Sequence, residues 1–243
     1  MQITERDKEI LLWINRHGFV TANQVARMFG MHLQKAYLRL KCLVDYGMLK
    51  RERILYRKPG LYFLTPAGAQ FSESEIAPMR RYPADSVVNH HLQTVDISIE
   101  ITNHHDAVGW ITAREIKNQQ AMAALEKTGS SKNILDAMRM RVPDGIVRRL
   151  DGHYAIEVEL TLKHRPRITK IITDYAMKTI KGELKGVIYF TDKSAVIKAL
   201  REEIGRTAVE EYFQIYELKG EDKDGRPIFR HAAGAERTGT AIF

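Results

Sequence analysis

The 243-residue sequence contains a single cysteine, Cys42. One thiol cannot close an intrachain disulfide or build a Cys-based zinc site, and such sparing use fits a reducing cytoplasm. Long apolar runs are missing too. No stretch approaches the roughly 18 residues that a membrane-spanning helix requires, so no membrane insertion is expected. The opening residues, MQITERDKEI, hold no apolar segment of the secretory type, and no signal peptide is expected. No internal repeat is present. Against these absences, 44% hydrophobic and 28% charged residues describe a chain able to form a packed core. Its length allows one large domain or two small ones.

The net charge of +8 is unevenly spread. Residues 1–82 hold 14 Lys and Arg against 7 Asp and Glu, whereas residues 83–243 hold 24 against 23. Within the first third, Lys35, Arg39, Lys41, Lys50, Arg51, Arg53, Arg57 and Lys58 face only Asp45 and Glu52 across residues 35–58. A cationic patch of this kind suits a polyanion such as DNA, or serves as a solubilising surface.

The first 70 residues show an ordered pattern. Residues 4–17 (TERDKEILLWINRH) place Ile10, Trp13 and Ile14 at helical spacing after Thr4, with Asp7 where a capping-box acid stands. Gly18 ends that helix. Thr21 caps a short second helix that Gly30 stops. HLQKAYLRLKCLVDYG predicts a third, buried on Ala36, Leu40, Leu43 and Val44, with Gly47 at its C-terminus. MLKRERILYR and LYFLT then read as strands around Pro59-Gly60. Three helices followed by a basic hairpin describe a winged helix-turn-helix. In that architecture the third helix enters the major groove and the hairpin lies over phosphates. His32, Gln34, Lys35 and Arg39 are the candidates for base contact, and Arg51, Arg53, Arg57 and Lys58 for phosphate contact. A winged helix used for protein contacts is the alternative. The predicted domain covers residues 1–71.

Residues 72–88 are polar, carry two prolines and read as a linker. A helix follows, with Leu92, Val95 and Ile99 in an apolar stripe and Asp96 and Glu100 opposite. The second domain, 89–218, reads as α/β. A strand is expected at 108–114, a helix at 116–127 and a loop at 128–134. RVPDGIVRRL and HYAIEVELTLK form a hairpin at Asp151-Gly152. A helix at 166–182 buries Ile168, Ile171, Ile172, Tyr175 and Ile180, KGVIYFTD is a central strand, and a last helix (194–205) and a last strand, EEYFQIYEL, follow. Residues 219–243 read as a loosely ordered tail.

Chemistry concentrates in residues 143–163. Asp144 precedes the hairpin, and Glu157 and Glu159 share a strand face by parity, with Lys163 in the same phase. Gathered carboxylates repel unless a cation neutralises them, and hard oxygen ligands select Mg²⁺ or Mn²⁺. Such an ion polarises a phosphodiester and activates water. Lys163 could balance charge in the transition state. The alternative is an amphipathic strand with its glutamates in solvent.

PDG…EVELTLK resembles the motif of the PD-(D/E)xK nuclease superfamily. That resemblance implies a restriction-endonuclease-like mixed sheet flanked by helices, binding a divalent metal through Asp144, Glu157 and Glu159. The sequence departs from the usual pattern in placing Glu159 where a lysine is customary. Lys163 then stands as a migrated lysine, or the site uses none. From the winged helix through NHHLQTVDISIEI to EVE, the chain further resembles the replication-relaxation group of plasmid proteins, in particular the MOB-C class of mobilisation relaxases. This implies a metal-dependent endonuclease nicking one strand at a plasmid transfer origin, with the coupling protein of the transfer machinery as a partner.

Accessory candidates are fewer. His90-His91 and His104-His105 are adjacent pairs that point to different faces of a helix, which leaves His91 as a supporting residue only. Glu100 is an extra metal or water contact, or part of a solvated face. Lys170 and Lys178 recur with Arg167 and Asp174 at helical spacing and could hold phosphates, or form an exposed ion-paired face. Tyr175 or water would serve as nucleophile. No phosphate-binding loop, dinucleotide fingerprint or G-x-S-x-G elbow occurs. The competing functional class is a non-enzymatic plasmid replication or transcription regulator that binds DNA through its winged helix.

Overall fold

A computed structural model describes residues 3–53, 59–104, 107–128 and 131–232. The chain runs α1 (Glu5–His17), β1 (Phe19–Thr21), α2 (Ala22–Met28), α3 (Leu33–Asp45), β2 (Leu49–Glu52), β3 (Leu61–Leu64), α4 (Pro66–Phe71) and α5 (Asp85–His104). It continues with β4 (Gly109–Thr112), α6 (Ala113–Thr128), α7 (Ser131–Arg139), β5 (Gly145–Arg149), β6 (Gly152–Val158), α8 (Arg165–Ile180), β7 (Gly186–Thr191), α9 (Ser194–Ile204), β8 (Phe213–Glu221) and β9 (Pro227–His231). Two compact units result: Met1–Val95 with Thr112–Val142, and Asp96–Ile111 with Pro143–Phe243.

Local chemistry sets the first unit's helix boundaries. The Thr4 N–H donates to the Asp7 carboxylate at 2.6 Å, closing the capping box on α1 with an aspartate in place of the usual glutamate. Gly18 leaves that helix at φ +95°. At α2, Thr21 and Gln24 cap each other reciprocally. Strands β1 and β2 flank β3 in antiparallel pairing, with Phe19 opposite Phe63 and Leu49 opposite Leu64. Every residue of β3 is buried, and Ile10, Leu11, Ile14, Val25, Leu40 and Leu43 of the three helices pack in the same core. The expected hairpin is therefore the outer and central part of a three-stranded sheet. The three-residue β1 is too short to show a periodicity.

Residues 72–88 do not behave as a free linker. Asn15 Nδ2 donates to Ser74 Oγ at 2.8 Å, Met79 packs against the Phe19–Leu61–Phe63–Val88 cluster, and the Tyr82 hydroxyl reaches Glu52 at 2.5 Å. The division between the units falls later, within α5. Residues 112–142, expected in the second domain, belong to the first unit. Thr112 Oγ1 donates to the Arg16 carbonyl at 2.8 Å and Arg114 Nε to that of Asn15 at 3.1 Å, supplying partners to the carbonyls that end α1. Arg16 pairs with Glu115 at 2.7 Å. Part of the expected loop at 128–134 is helical, since α7 begins at Ser131.

The second unit is built on a six-stranded mixed sheet of order β4-β5-β6-β7-β8-β9. Asp151-Gly152 does turn β5 back along β6 in antiparallel register, Arg149 opposite Gly152. Strands β6, β7 and β8 are parallel, linked by α8 and α9, and β7 is buried throughout, as its continuous apolar run predicts. One sheet face packs Ile156, Val158, Ile188 and Phe190 with Ile97 and Ile101 of α5. The other packs Ala155, Val187 and Tyr189 with Ile168, Ile171, Ile172 and Tyr175 of α8 and with α9. Ile180 is a correction: at the end of α8 it is 62% exposed. A second correction concerns the tail. Residues 213–231 form the β8–β9 antiparallel hairpin, with Leu218 opposite Phe229, and only 233–243 lie outside the described residues. Phe229 stacks edge-on against Phe190, which gives this polar-looking segment its apolar anchor.

Candidate functional site

The carboxylates of interest lie where β5 begins and β6 ends. Gly145 opens β5 because Trp110 covers its Cα so closely that any Cβ would overlap the indole. Asp144 is thereby fixed at the mouth of the strand pair. Its N–H donates to the Ile156 carbonyl at 3.0 Å, and its carboxylate accepts the Val158 N–H at 2.8 Å. Asp144 is thus bound to both chain neighbours of Glu157. Glu157 itself is 7% exposed, on the side of the sheet that α8 covers, and the Tyr175 hydroxyl donates to it. Glu159 lies one residue past β6 and prolongs its pairing with β7, its N–H reaching the Phe190 carbonyl at 2.8 Å. Its carboxylate pairs with Lys163 and accepts from Thr161.

The three acids therefore differ in their partners: a backbone amide at Asp144, a phenol at Glu157, and an ammonium and a hydroxyl at Glu159. Among the described residues, no three His, Cys, Asp or Glu side chains stand close enough to share one ion, so a three-acid cage is not assembled. A magnesium ion needs less, one or two carboxylates with water and phosphate oxygens completing its shell. Asp144 and Glu157 meet that requirement in donor chemistry and in chain position. The place is also apt, since ligands of open α/β sheets bind beyond the carboxyl ends of parallel strands, and Glu157 is near that end of β6.

The supporting candidates divide. Tyr175 is 2% exposed and hydrogen-bonded to Glu157, which suits an orienting residue better than an attacking one. Lys178 lies 5.7 Å from the Tyr175 ring, and Lys170 is exposed on the same helix. Glu100 is half-buried on α5. His91 departs from expectation: its Nε2 lies 3.0 Å from the Phe19 carbonyl and its ring packs on Phe19, a core contact of the first unit.

In the first unit His32, Gln34 and Lys35 are exposed at the start of α3, where the His32 ring accepts the Gln34 N–H at 3.3 Å and caps the helix. Arg39 is a correction. Its guanidinium pairs with the buried Asp7, so it ties α3 to α1 instead of pointing to solvent. Burial alone would raise the Asp7 carboxyl, but the hydrogen bonds from Arg39 and Thr4 outweigh it and hold the group below the usual range. Arg51 and Arg53 are exposed on and just after β2, with the Arg51 guanidinium 5.9 Å from the Tyr62 ring. Arg57 and Lys58 lie outside the described residues. Sequence reasoning passed over Tyr37 and Leu38, which are exposed on α3 between the basic residues. Their spacing from Gln34 and Lys41 was the available signal.

A family model described as replication-relaxation matches residues 11–183, well over half the chain. The chain belongs to the replication-relaxation family. No curated protein and no solved structure matches it. The matched span of this replication-relaxation protein takes in α3, the β5–β6 pair and α8, so Asp144, Glu157, Glu159, Lys163 and Tyr175 all fall inside it. Membership connects the chain with plasmid replication and relaxation, and through these with DNA. Among the described residues no helix is long and apolar enough to cross a membrane.

Proposed function

We propose that this replication-relaxation protein is a metal-dependent endonuclease that nicks one strand of plasmid DNA at a transfer origin, as a mobilisation relaxase of the MOB-C kind. The observation that carries the reading is the attachment of Asp144 to both neighbours of Glu157, at the carboxyl end of a parallel strand. The mixed sheet with helices on both faces is compatible with the PD-(D/E)xK architecture. The order of three helices and a small antiparallel sheet in the first unit is compatible with a winged helix-turn-helix that reads the DNA.

Mg²⁺ or Mn²⁺ would be held by Asp144 and Glu157; when bound, it supplies Lewis-acid polarisation of the phosphodiester and a more acidic attacking water. The chain's own residues do the rest. The Val158 N–H fixes the Asp144 carboxylate, and Tyr175 fixes that of Glu157. Lys163, paired with Glu159, brings an ammonium to the strand end, where it can oppose phosphate charge. In mobilisation, the coupling protein of the transfer machinery would be the protein partner. The test is conversion of supercoiled plasmid carrying the cognate origin to open circles in Mg²⁺ or Mn²⁺, blocked by EDTA. Asp144→Ala should abolish conversion while leaving DNA binding in place, and full nicking by that variant would refute the reading.

A second reading has one observation in its favour: each of the three carboxylates is engaged within the protein. A replication or transcription regulator would use the same sheet as a scaffold. It would shift DNA in a gel and leave supercoiled plasmid intact with either metal.

A further inference from the structure

The outer face of α3 has an unusual composition for a surface helix. Gln34, Tyr37, Leu38 and Lys41 recur at spacings of three and four, and all are exposed, while Ala36, Leu40 and Leu43 fill the buried side. Leu38 is 61% and Tyr37 41% exposed. A single exposed leucine is ordinary, but here two large apolar side chains stand together in the middle of a face. From His32 through Val44 the sequence holds no Asp or Glu, and Lys35 and Lys41 flank the apolar pair. A partner for such a face must be anionic around its edge and apolar at its centre.

Duplex DNA meets that description. Its major groove admits an α-helix between two phosphate rows, and the apolar group it offers there is the C5-methyl of thymine. We propose that Gln34, Tyr37 and Leu38 form the base-reading surface, with Lys41 on the phosphates beside it, and that Leu38 and Tyr37 select thymine by its methyl group. The inference rests on the DNA-reading role given above to the first unit. Two neighbouring facts support it. Arg39, which follows Leu38 directly, is committed to Asp7 and leaves the reading to this face. The Gln34 amide, exposed one turn before Leu38, is suited to adenine N6 and N7, so the face favours A·T steps.

The experiment uses the full-length protein to enrich duplexes from a random pool, then replaces each thymine of the enriched duplex with deoxyuridine. Removing a read methyl should weaken wild-type binding about fourfold per position. Leu38→Ala should bind the thymine and uracil duplexes equally at the Leu38 position, and Tyr37→Ala should do so at its own. Both sites are on the surface, and an unchanged circular dichroism spectrum checks that the variants fold. Indifference of the wild type to uracil everywhere would overturn the inference. So would retention of the full uracil penalty by both variants, the result expected of a surface that docks a protein. Failure to enrich any duplex would instead remove the DNA-reading role beneath it, and the two failures are distinguishable.

Discussion

The Val158 N–H donates to the Asp144 carboxylate at 2.8 Å, so an acid proposed for chemistry also satisfies a buried backbone donor. Asp144→Ala therefore does two things at once. It removes the acid, and it takes a carboxylate acceptor from the Val158 amide, at a cost of about 1–3 kcal/mol. Asp144→Asn keeps an oxygen acceptor of the same reach. Its urea midpoint should return most of the way to wild type while nicking stays lost. Nicking by Asp144→Asn at the wild-type rate would remove Asp144 from the chemistry, whatever the alanine variant does.

Tyr175 and Glu157 give a second separation. The phenol donates to a nearly buried carboxylate. Tyr175→Phe deletes one oxygen, leaves the ring in the core and takes away that donor, which should lower stability by about 1–3 kcal/mol. Because the hydroxyl points into the protein, any covalent protein–DNA adduct should persist in Tyr175→Phe. Nicking without an adduct at full folding, seen by denaturing gel after plasmid cleavage, would identify Tyr175 as the nucleophile and contradict the orienting role.

His17 makes the first unit sensitive to acid. It is buried at the end of α1 against Trp13, and burial, helped by nearby His91, Arg16 and Arg114, holds its pKa well below the ordinary imidazole value of 6.5. The unfolded chain thus takes up a proton near pH 6.5 that the folded unit refuses. Stability from this residue is complete above that pH. It falls as the pH drops below, by up to about 1.4 kcal/mol per pH unit. Thermal midpoints between pH 7.5 and 5.5 should decline in the wild type and decline less in His17→Gln. Parallel slopes in the two proteins would show that His17 is not the responsible group.

Much of this fold could be read from periodicity, and the misreadings share a cause. Caps at Thr4 and Thr21, the Asp151-Gly152 hairpin and the apolar run of β7 are local signals, and all three appear where expected. Residues 72–88 looked like a linker because their composition is polar, yet a few anchors, Ser74, Met79 and Tyr82, hold them to the first unit. The β8–β9 hairpin was hidden for the same reason, its attachment resting on spaced side chains such as Phe229. At the candidate site the acids themselves stood out in the sequence. Their partners did not, because a backbone amide at Val158 and a phenol one helix away leave no mark in strand parity. Arg39 was misassigned because charge counting cannot distinguish a cation in solvent from one paired with an aspartate 32 residues earlier.

That distinction is open to measurement through salt. Each phosphate contact releases counterions, and losing one lowers the slope of log affinity against log salt by about 0.9 on duplex DNA. Lys41 is exposed on the outer face of α3, so Lys41→Ala should reduce the slope by about that much. Arg39 is spent on Asp7 within the protein, so Arg39→Met should leave the slope unchanged. Its cost should fall on folding instead, about 3–5 kcal/mol for a buried carboxylate left without its partner. Binding is therefore compared at a temperature where circular dichroism shows the variant folded. A shallower slope for folded Arg39→Met would mean that the guanidinium leaves Asp7 to reach the DNA, and α3 would then recruit the arginine that the free protein uses as a strut.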